Sequence, residues 1–397
     1  MQKAKYVDTI IGTIGDEKST SIHGGGKTYP GACVPGGMVQ LSPDTVTGGD
    51  NGTGYNYCDS TIEGFSFNHM SGIGWYGDLG NLQIMPITGE TDLRSGSNEE
   101  IPFVKGKRGW KSTFSHKKEK GMAGYYSVEL ERYGILAEAT VSVHTGLLKI
   151  TYPNTDKPGI IFNFSRRIAG YADFEHVDIV NNKHIEGYIR CTPAGGGFGR
   201  GEGNIAYTLY FVCELSTPAK TMRFFSNEEY IDENVKCFEN KDAGLKVMFD
   251  DNLDEPVVLK CGISYTDMEG AKNNLNSECG DFDFDRMRTN AFSAWEKEFE
   301  TINVDCEDQT QLKIFYTCLY HTLLDPRFAI DADGRYKFNG KVFTAKDYIQ
   351  RTMFSGWDVY RSEFPLLTLI RPDVVNDEVN SLLKIAEEKN TSFPRWG

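Results

Sequence analysis

The sequence predicts a mainly β plus α protein, in which an N-terminal antiparallel β-sandwich is followed by helices. Up to about residue 270, short runs rich in β-branched and aromatic residues alternate with turn segments such as PNTDKPG and NNKH. Many short strands at this spacing are typical of an antiparallel sandwich. After Asp267, apolar residues recur at helical spacing instead. A length of 397 residues also exceeds one ordinary core, which favours two domains or more.

The strand pattern is clearest in a predicted hairpin. Its two strands are residues 125–130 and 135–143, which alternate around the turn at Tyr133-Gly134. The same pattern predicts further strands at residues 82–87, 147–152, 159–164, 184–190, 206–214, 245–249 and 257–265.

The helical part is predicted to contain four helical segments. Residues 267–300 are helical in composition, and one face there would carry Arg286, Ala291, Phe292 and Trp295. A helix over 309–324 would bury Leu312, Phe315, Tyr316, Leu319 and Leu323 and would end at Asp325-Pro326. A further helix is predicted over 357–370, and Asp373 is predicted to cap the next one, over 374–388.

These patterns divide the chain into a sandwich over 1–267, a helical linker over 268–305 and further helices over 306–397. The apolar stripes of the helices need partners. Either they begin a larger helical domain, or they pack on the sandwich as a small cap.

Composition excludes several classes of partner. The net charge is −14, and nucleic acid and anionic membranes both require a basic protein face. No segment approaches the roughly 20 apolar residues of a membrane span. The nine cysteines are scattered without a CxxC or Cys/His cluster, which predicts buried free thiols and no zinc site.

The segment from Gly64 to Pro86 is the first candidate site. Its dense glycines let the backbone approach a ligand closely. Trp75, Tyr76 and Asp78 stand between them, and an aromatic ring beside a carboxylate suits the apolar face and the hydroxyls of a sugar. The alternative is a glycine-rich loop with a packing tryptophan, and from this segment alone we favour the loop.

The second candidate is the segment FSGWDVYR, residues 354–361. Asp358 and Arg361 are three residues apart, so on a helix they would share a face. A stabilising ion pair at a helix start explains them without a ligand. The functional alternative is that Trp357, Asp358 and Arg361 line the mouth of a pocket.

Further motifs surround both segments in one order along nearly the whole chain. With the two segments included, they are His23-Gly24, Thr28-Tyr29-Pro30-Gly31-Ala32, Val34-Pro35, the run from Gly37 to Asp44, Gly64-Phe65-Ser66, His69, Ser71-Gly72, Gly74, Asp78, Gly80, Gly124-Tyr125-Tyr126, FYTCLYHTLLDPR from Phe315, Asp333-Gly334-Arg335-Tyr336, Trp357-Asp358 with Arg361, and Phe393-Pro394-Arg395-Trp396. Together these motifs resemble the N-terminal part of glycoside hydrolase family 92, the bacterial exo-acting α-mannosidases, which include α-1,2-mannosidases.

The resemblance implies a β-sandwich packed on an (α/α)6 barrel. It also implies calcium-dependent hydrolysis of terminal α-linked mannose from glycans, including N-glycans, with inversion. Inverting enzymes hold a general acid and a general base about 6.5–9.5 Å apart. In the family these carboxylates and the calcium ligands follow the motif that matches 393–396. We therefore expect no catalytic residue and no metal ligand in this chain, which would be a fragment inactive on its own.

The resemblance assigns the sugar-binding residues. They are Asp78 and Trp75 from the sandwich, Trp357, Asp358 and Arg361 from the first barrel helices, and His69, for which a buried structural role is equally open. The partner would be a mannose-containing oligosaccharide, and the location periplasmic or secreted. The opening residues MQKAKYVDTI lack the apolar part of a signal peptide, so a cytoplasmic location stays open.

Two departures from the family pattern are visible. Gly36 stands where the family usually has Phe, and Trp75-Tyr76 occupy a loop where α-1,2-mannosidases often have a small residue or Cys. These differences leave the linkage preference open. A non-catalytic carbohydrate-binding or structural sandwich module is the alternative function.

Overall fold

A computed structural model describes residues 2–14, 26–45, 53–71, 79–95, 109–155, 157–168, 170–195, 206–352 and 356–389, without the side chain of Trp357. In chain order the strands are β1 (Ser42–Asp44), β2 (Thr61–Ile62), β3 (Gly64–Ser66), β4 (Gln83–Thr88), β5 (Ser112–Thr113), β6 (Glu119–Met122), β7 (Tyr125–Leu130), β8 (Ile135–Val141), β9 (Thr145–Thr151), β10 (Pro158–Asn163), β11 (Arg166–Arg167), β12 (Gly170–Tyr171), β13 (Phe174–Ile179), β14 (His184–Cys191), β15 (Tyr207–Leu215), β16 (Thr221–Ser226), β17 (Glu229–Tyr230), β18 (Cys237–Asn240), β19 (Gly244–Met248), β20 (Val257–Ser264), β21 (Arg335–Phe338) and β22 (Lys341–Thr344). The helices are α1 (Met268–Glu278), α2 (Phe284–Phe299), α3 (Gln309–Thr322), α4 (Gly356–Val359), α5 (Glu363–Ile370) and α6 (Pro372–Lys389).

Two antiparallel sheets form the sandwich. Over the described ranges, one sheet has seven strands in the order β1-β3-β4-β10-β19-β16-β17. The other has nine, in the order β18-β13-β14-β15-β20-β9-β8-β7-β6. The predicted hairpin pairs Tyr125 with Thr140 and Leu130 with Ile135. The predicted antiparallel sandwich, with helices after it, is therefore confirmed.

Alternating apolar residues of both sheets build the core between them. Phe65, Ile84 and Phe162 come from the seven-stranded sheet, and Leu148 and Phe211 come from the nine-stranded sheet; all five are fully buried. The outward-facing positions of β13 and β14 are only partly buried or exposed. This alternation is the period-two pattern visible in the sequence.

Helices α1 and α2 lie on the outer face of the nine-stranded sheet. Leu147 and Val212 on that face pack against Leu275 of α1 and Met287 of α2. Trp295, further along the same face of α2, packs against α3 and the N-terminal segment. Two halves of different secondary structure thus share continuous apolar contacts.

Aspartate residues set the starts of the first three helices. The side chains of Asp267, Asp283 and Asp308 each accept hydrogen bonds from backbone N–H groups in the first turn of α1, α2 and α3, respectively. Such caps satisfy donors that the helix itself cannot.

The helix predictions need three corrections. Arg286 is exposed and pairs with Asp281, so the buried face of α2 is formed instead by Phe284, Met287, Ala291, Trp295 and Phe299. The single helix predicted over 357–370 is interrupted between Val359 and Glu363. Pro365 explains the interruption, because a proline inside a continuous helix would clash with the carbonyl of residue 361.

The third correction concerns Asp373. Helix α6 begins at Pro372, two residues before the predicted start at residue 374, so Asp373 lies in the first turn rather than at the cap. Proline suits the first helical position, since its fixed φ is helical and its missing N–H would have no partner there. Asp373 accepts hydrogen bonds from the guanidinium of Arg371 instead.

The cysteines are free thiols, as predicted, but only some of them are buried. Cys33, Cys191, Cys213, Cys261 and Cys279 are buried, whereas Cys237 and Cys318 are exposed. In the described part of the chain, no helix has both the length and the apolar character needed to cross a membrane.

Candidate functional site

The predicted sugar-binding residues fall into three groups. Asp78 and Trp75 lie outside the described residues, and for Trp357 only the backbone is described, in the one-turn helix α4. Asp358 and Arg361 are exposed. Helix α4 ends at Val359, so Arg361 lies in the following turn, where its Nε donates to the Tyr360 hydroxyl.

His69 is fully buried in the sandwich. Its Nδ1 lies 2.9 Å from the carbonyl oxygen of Gln40, and its Nε2 lies 2.9 Å from Oδ1 of Asp44. Both ring nitrogens are thus engaged by oxygen atoms of the protein. These contacts fit the structural role that the sequence left open for His69.

Asp44 is the centre of this buried polar cluster. Its Oδ2 accepts from the Ser66 hydroxyl and, at 3.0 Å, from Gln83 Nε2, while Arg166 Nη2 lies 3.5 Å from Oδ1. Burial by itself would raise the pKa of Asp44, but Arg166 and His69 outweigh it and hold the pKa below its ordinary value. The carboxylate is therefore stable as an anion inside the sandwich.

The same cluster fixes the chain on both sides of residues 72–78. Ser66 donates to the carbonyl oxygen of Gly80, whose N–H donates to the carbonyl oxygen of Asn68. Gly80 has a φ of +72°, and a Cβ there would lie 2.4 Å from Nη1 of Arg166. A glycine is thus needed where the backbone passes this guanidinium.

Arg327 connects this cluster to the helical part. Its Nη1 donates to the carbonyl oxygen of His69 at 2.6 Å and to Oε1 of Gln40 at 3.1 Å. Its other nitrogens donate to both carboxylate oxygens of Asp325, at 2.9 and 3.3 Å. Arg327, in the run DPR that ends the predicted 309–324 helix, therefore joins the two halves of the chain through its hydrogen bonds to His69 and Gln40, while a planar, two-pronged ion pair with the neighbouring Asp325 holds the guanidinium in place.

Carboxyl groups on α5 and α6 lie within electrostatic reach of Asp325. Burial first, and then the negative charge of Asp325, raise the pKa of Glu363 to about 7. Burial also raises the pKa of Glu378 to about 8, against the opposing charge of Arg351. A carboxyl whose pKa is raised toward neutrality is suited to proton transfer near pH 7.

Glu363 and Glu378 were not found by sequence reasoning. Glu363 follows Arg361 by two residues, so its position in the FSGWDVYR region was the only available signal. For Glu378 there was none, because only packing shows that both its carboxyl oxygens are buried without a hydrogen-bond partner among the described residues. Hydrogen bonds link His69, Arg327 and Asp325 across the junction, and Asp325 acts on Glu363 of α5 through its charge.

Gly36 lies at the same junction. Its φ is +57°, and a Cβ there would lie 3.1 Å from Nη1 of Arg351 and 3.2 Å from the carbonyl oxygen of Pro326. Its own carbonyl accepts from the N–H of Phe328 at 2.7 Å. A phenylalanine, which the family usually has here, would be strained in this conformation.

Comparisons with known proteins decide the family. The profile of the Glycosyl hydrolase family 92 N-terminal domain matches residues 6–264, and that of the family 92 catalytic domain matches residues 270–397. The chain belongs to glycosyl hydrolase family 92. The resemblance seen in the sequence is thereby confirmed.

Solved structures of this family agree with the fold. A family 92 α-mannosidase from Bacteroides thetaiotaomicron, also solved with mannoimidazole, is 30% identical with a TM-score of 0.90, over 100% of this chain and 51% of that protein. An inverting mannosidase of the same family and species is 24% identical with a TM-score of 0.82, over 100% of this chain and 50% of that protein. A secreted glycosidase of Arthroderma benhamiae, described as uncharacterized, is 26% identical over 81% of this chain and 41% of its own length. The chain thus spans about half the length of these relatives.

Calcium does not fit the residues that the structure describes. Calcium takes six to eight oxygen ligands. Across the described ranges, the one group of three His, Cys, Asp or Glu side chains close enough to share an ion is His176, Asp178 and Cys237, which offers a nitrogen and a sulfur. We therefore assign no calcium ligand in this part of the chain.

Proposed function

We propose that the protein acts in the hydrolysis of terminal α-linked mannose from glycans, with inversion. The observation that carries this proposal is the agreement of the whole chain with a mannosidase that binds mannoimidazole, at 30% identity and a TM-score of 0.90. This hydrolysis requires the full-length catalytic domain of the family. The general acid and the general base are proposed to lie outside residues 1–397.

In this proposal, the chain supplies one side of the sugar site. Asp78 and Trp75 would contact the sugar from the sandwich, and Trp357, Asp358 and Arg361 would contact it from the helical part. The hydrogen bond from Arg327 to the carbonyl oxygen of His69 supports a shared site, because it joins the sandwich segment to the loop that follows α3 in the helical part. His69 would position the sandwich segment from the interior rather than touch the sugar.

We also propose the division into a sandwich over 1–267, a linker over 268–305 and the first barrel helices over 306–397. Calcium dependence is proposed from the family alone, with ligands outside the described residues. A periplasmic or secreted location is supported by the secreted glycosidase among the relatives.

Asp358 offers the sharpest test of the sugar site. Its carboxylate is exposed and would accept hydrogen bonds from sugar hydroxyls. Charge-assisted bonds of this kind contribute about 1.5–3 kcal/mol, which corresponds to about 10- to 150-fold in affinity. We expect Asp358→Asn to weaken mannoimidazole binding in calorimetry by this factor, while thermal stability changes little.

Asp373→Asn is the matched control, because Asp373 is also an acidic residue in the first turn of a helix and pairs with Arg371. It should leave mannoimidazole binding unchanged. Equal binding by the two variants, together with a lower melting temperature for Asp358→Asn alone, would support the ion-pair interpretation of Asp358.

Nuclear magnetic resonance of the first product should show β-mannose released from an α-mannoside, whereas initial α-mannose would exclude inversion. Sugar binding without turnover by the full-length family fold would support the binding-module alternative.

A further inference from the structure

Three side chains with different metal-binding atoms meet on the outer face of the nine-stranded sheet. They are His176 and Asp178 of β13 and Cys237 of β18, and one ligand atom from each lies within 4.8 Å of the others. The strand register explains the meeting, since Cys237 is directly opposite Asp178 and Glu239 is directly opposite His176. Residues two apart on one strand point to the same face, so all four side chains project together.

The imidazole of His176 is already oriented for such a role. Its ring stacks on Tyr188 of β14, with centroids 5.2 Å apart and planes 9° apart. Its Nδ1 lies 2.8 Å from Oε1 of Glu239, while its Nε2 lies 2.9 Å from Oδ2 of Asp178. Metal-binding histidines commonly donate from one nitrogen to a carboxylate and coordinate the metal through the other. In this arrangement Nδ1 of His176 would donate a hydrogen bond to Glu239, and Nε2 would coordinate the metal.

The surroundings leave this group open to solvent. Helix α1 covers the sheet over β15 and β20, and near β14 it contributes Lys272, which pairs with Glu186 at 3.0 Å. The side chain of His176 is 24% exposed and that of Asp178 is 39% exposed, and Cys237 is also exposed. An ion can therefore reach the three ligands without any rearrangement of the backbone.

We propose that His176, Asp178 and Cys237 form a zinc-binding site on the outer face of the sandwich. Nitrogen, oxygen and sulfur donors in this combination are those of Zn²⁺ sites, and three protein ligands leave the fourth tetrahedral position to water. Ligand atoms around a tetrahedral Zn²⁺ lie about 3.5 Å apart for bonds of about 2.0–2.3 Å. Nε2 of His176 and Oδ2 of Asp178 are 2.9 Å apart, and all three ligand atoms lie within 4.8 Å of one another, so the present separations bracket that value.

Binding exchanges protons for the metal. Zinc binds cysteine as the thiolate, so coordination by Cys237 releases the proton of its thiol to solvent. The metal would also tie β18, the edge strand of the sheet, to β13.

No zinc site was expected from the sequence, because its cysteines and histidines show no metal-binding spacing. Residues 176 and 237 are far apart in the chain and are brought together only by the β13–β18 pairing. The proposal concerns a site distinct from the family's calcium, because thiolate and imidazole are poor ligands for that hard ion.

Titration of the full chain with Zn²⁺, and with Co²⁺ as a spectroscopic substitute, tests the proposal. We expect one ion per chain and a cobalt–thiolate charge-transfer band in the near ultraviolet. Cys237→Ser should abolish that band and lower zinc affinity at least tenfold, and Asp178→Asn should also lower the affinity. Glu239→Gln should lower it about 10- to 100-fold through the orientation of His176.

Two variants serve as matched controls. Cys318→Ser removes the other exposed cysteine, and His184→Gln removes an outward-facing histidine that has a carboxylate partner, Glu186, 2.8 Å away. Both should bind zinc like the unchanged protein. Zinc should also slow amide hydrogen exchange in β18. Absence of zinc binding, a charge-transfer band that persists in Cys237→Ser, or one lost equally in Cys318→Ser would overturn the proposal.

Discussion

Arg327 is predicted to be the strongest single polar connection between the sandwich and the helical part. Its side chain is 11% exposed and that of Asp325 is 9% exposed, so the pair is largely removed from water. Burial by itself would lower the pKa of Arg327, but the charge of Asp325 outweighs it and the pKa is raised. The guanidinium therefore stays charged and makes four hydrogen bonds to three residues.

The change Arg327→Met keeps much of the side-chain volume and removes all four donors. It leaves Asp325 as an uncompensated buried charge and leaves the carbonyl oxygen of His69 without this donor. Breaking a buried pair in this way costs about 3–5 kcal/mol. Arg327→Lys keeps the charge but loses the planar fork, so we expect a loss of about 1–3 kcal/mol.

Urea unfolding of each variant gives the free energy of unfolding, and the double variant Arg327→Met/Asp325→Leu tests the coupling. We expect the double variant to lose less than the sum of the single losses, by about 1–3 kcal/mol. Arg335→Met is the matched control, because Arg335 also forms a two-pronged pair with one carboxylate, that of Asp267, but at a more exposed position. Its loss should be about 0–1 kcal/mol. If Arg327→Met lost no more than this control, or if the single losses simply added, the connection assigned to Arg327 would be wrong.

Three further predictions concern the interior. Burial opposes the charged forms of His144 and Glu278, but their ion pair raises the pKa of His144 above 6.5 and lowers that of Glu278 below 4.5. The stabilisation by this pair should therefore be complete between about pH 4.5 and 6.5, and it should fall as the pH drops through the folded pKa of Glu278 or rises through that of His144. The difference in unfolding free energy between the unchanged protein and Glu278→Gln should follow this profile, whereas a difference independent of pH would refute it. Burial raises the pKa of Glu378 to about 8, so above pH 4.5 this carboxyl ionises more readily in the unfolded chain than in the folded protein, and stability falls as the pH rises. Glu378→Gln should therefore gain stability relative to the unchanged protein between pH 5 and 8, and a difference independent of pH would contradict this. A Cβ at Gly124, where φ is +74°, would lie 2.6 Å from Cβ of Ala291 on α2, so Gly124→Ala should cost about 1–3 kcal/mol in urea unfolding, whereas Gly280→Ala, with nothing within 4 Å, should cost little.

Much of the β-sandwich could be read from the chain because its signal is local. Strands β7, β8, β14 and β20 begin at the residues where the alternation begins, and the turn residues between them are visible directly. Strands β13, β16 and β18 were missed. Two-residue strands such as β2 and β11 were missed as well, since so short a segment carries no period. The start of α6 was misplaced by two residues because a proline at the first helical position signals a boundary less directly than a capping side chain does.

The candidate site was predictable only where family motifs mark it. The segment around Asp358 and Arg361 was found in this way, but its helix was drawn through Pro365, which interrupts it. Arg327 was recognised as part of a motif, although its partners, His69 and Gln40, could not be named, because a hydrogen bond across some 260 residues leaves no local pattern.

The sequence by itself determined the change from a strand-rich to a helical part, the family and the acidic composition, because periodicity, turn residues and ordered motifs are properties of neighbouring residues. Tertiary structure alone decided which polar groups are buried, and with them the charges. His69 became an interior residue engaged by Asp44, and Glu378 acquired a pKa of about 8 from its burial. It also decided that Cys237 stands opposite Asp178, since the pairing of β13 with β18 is set by side-chain packing across the sheet and not by distance along the chain.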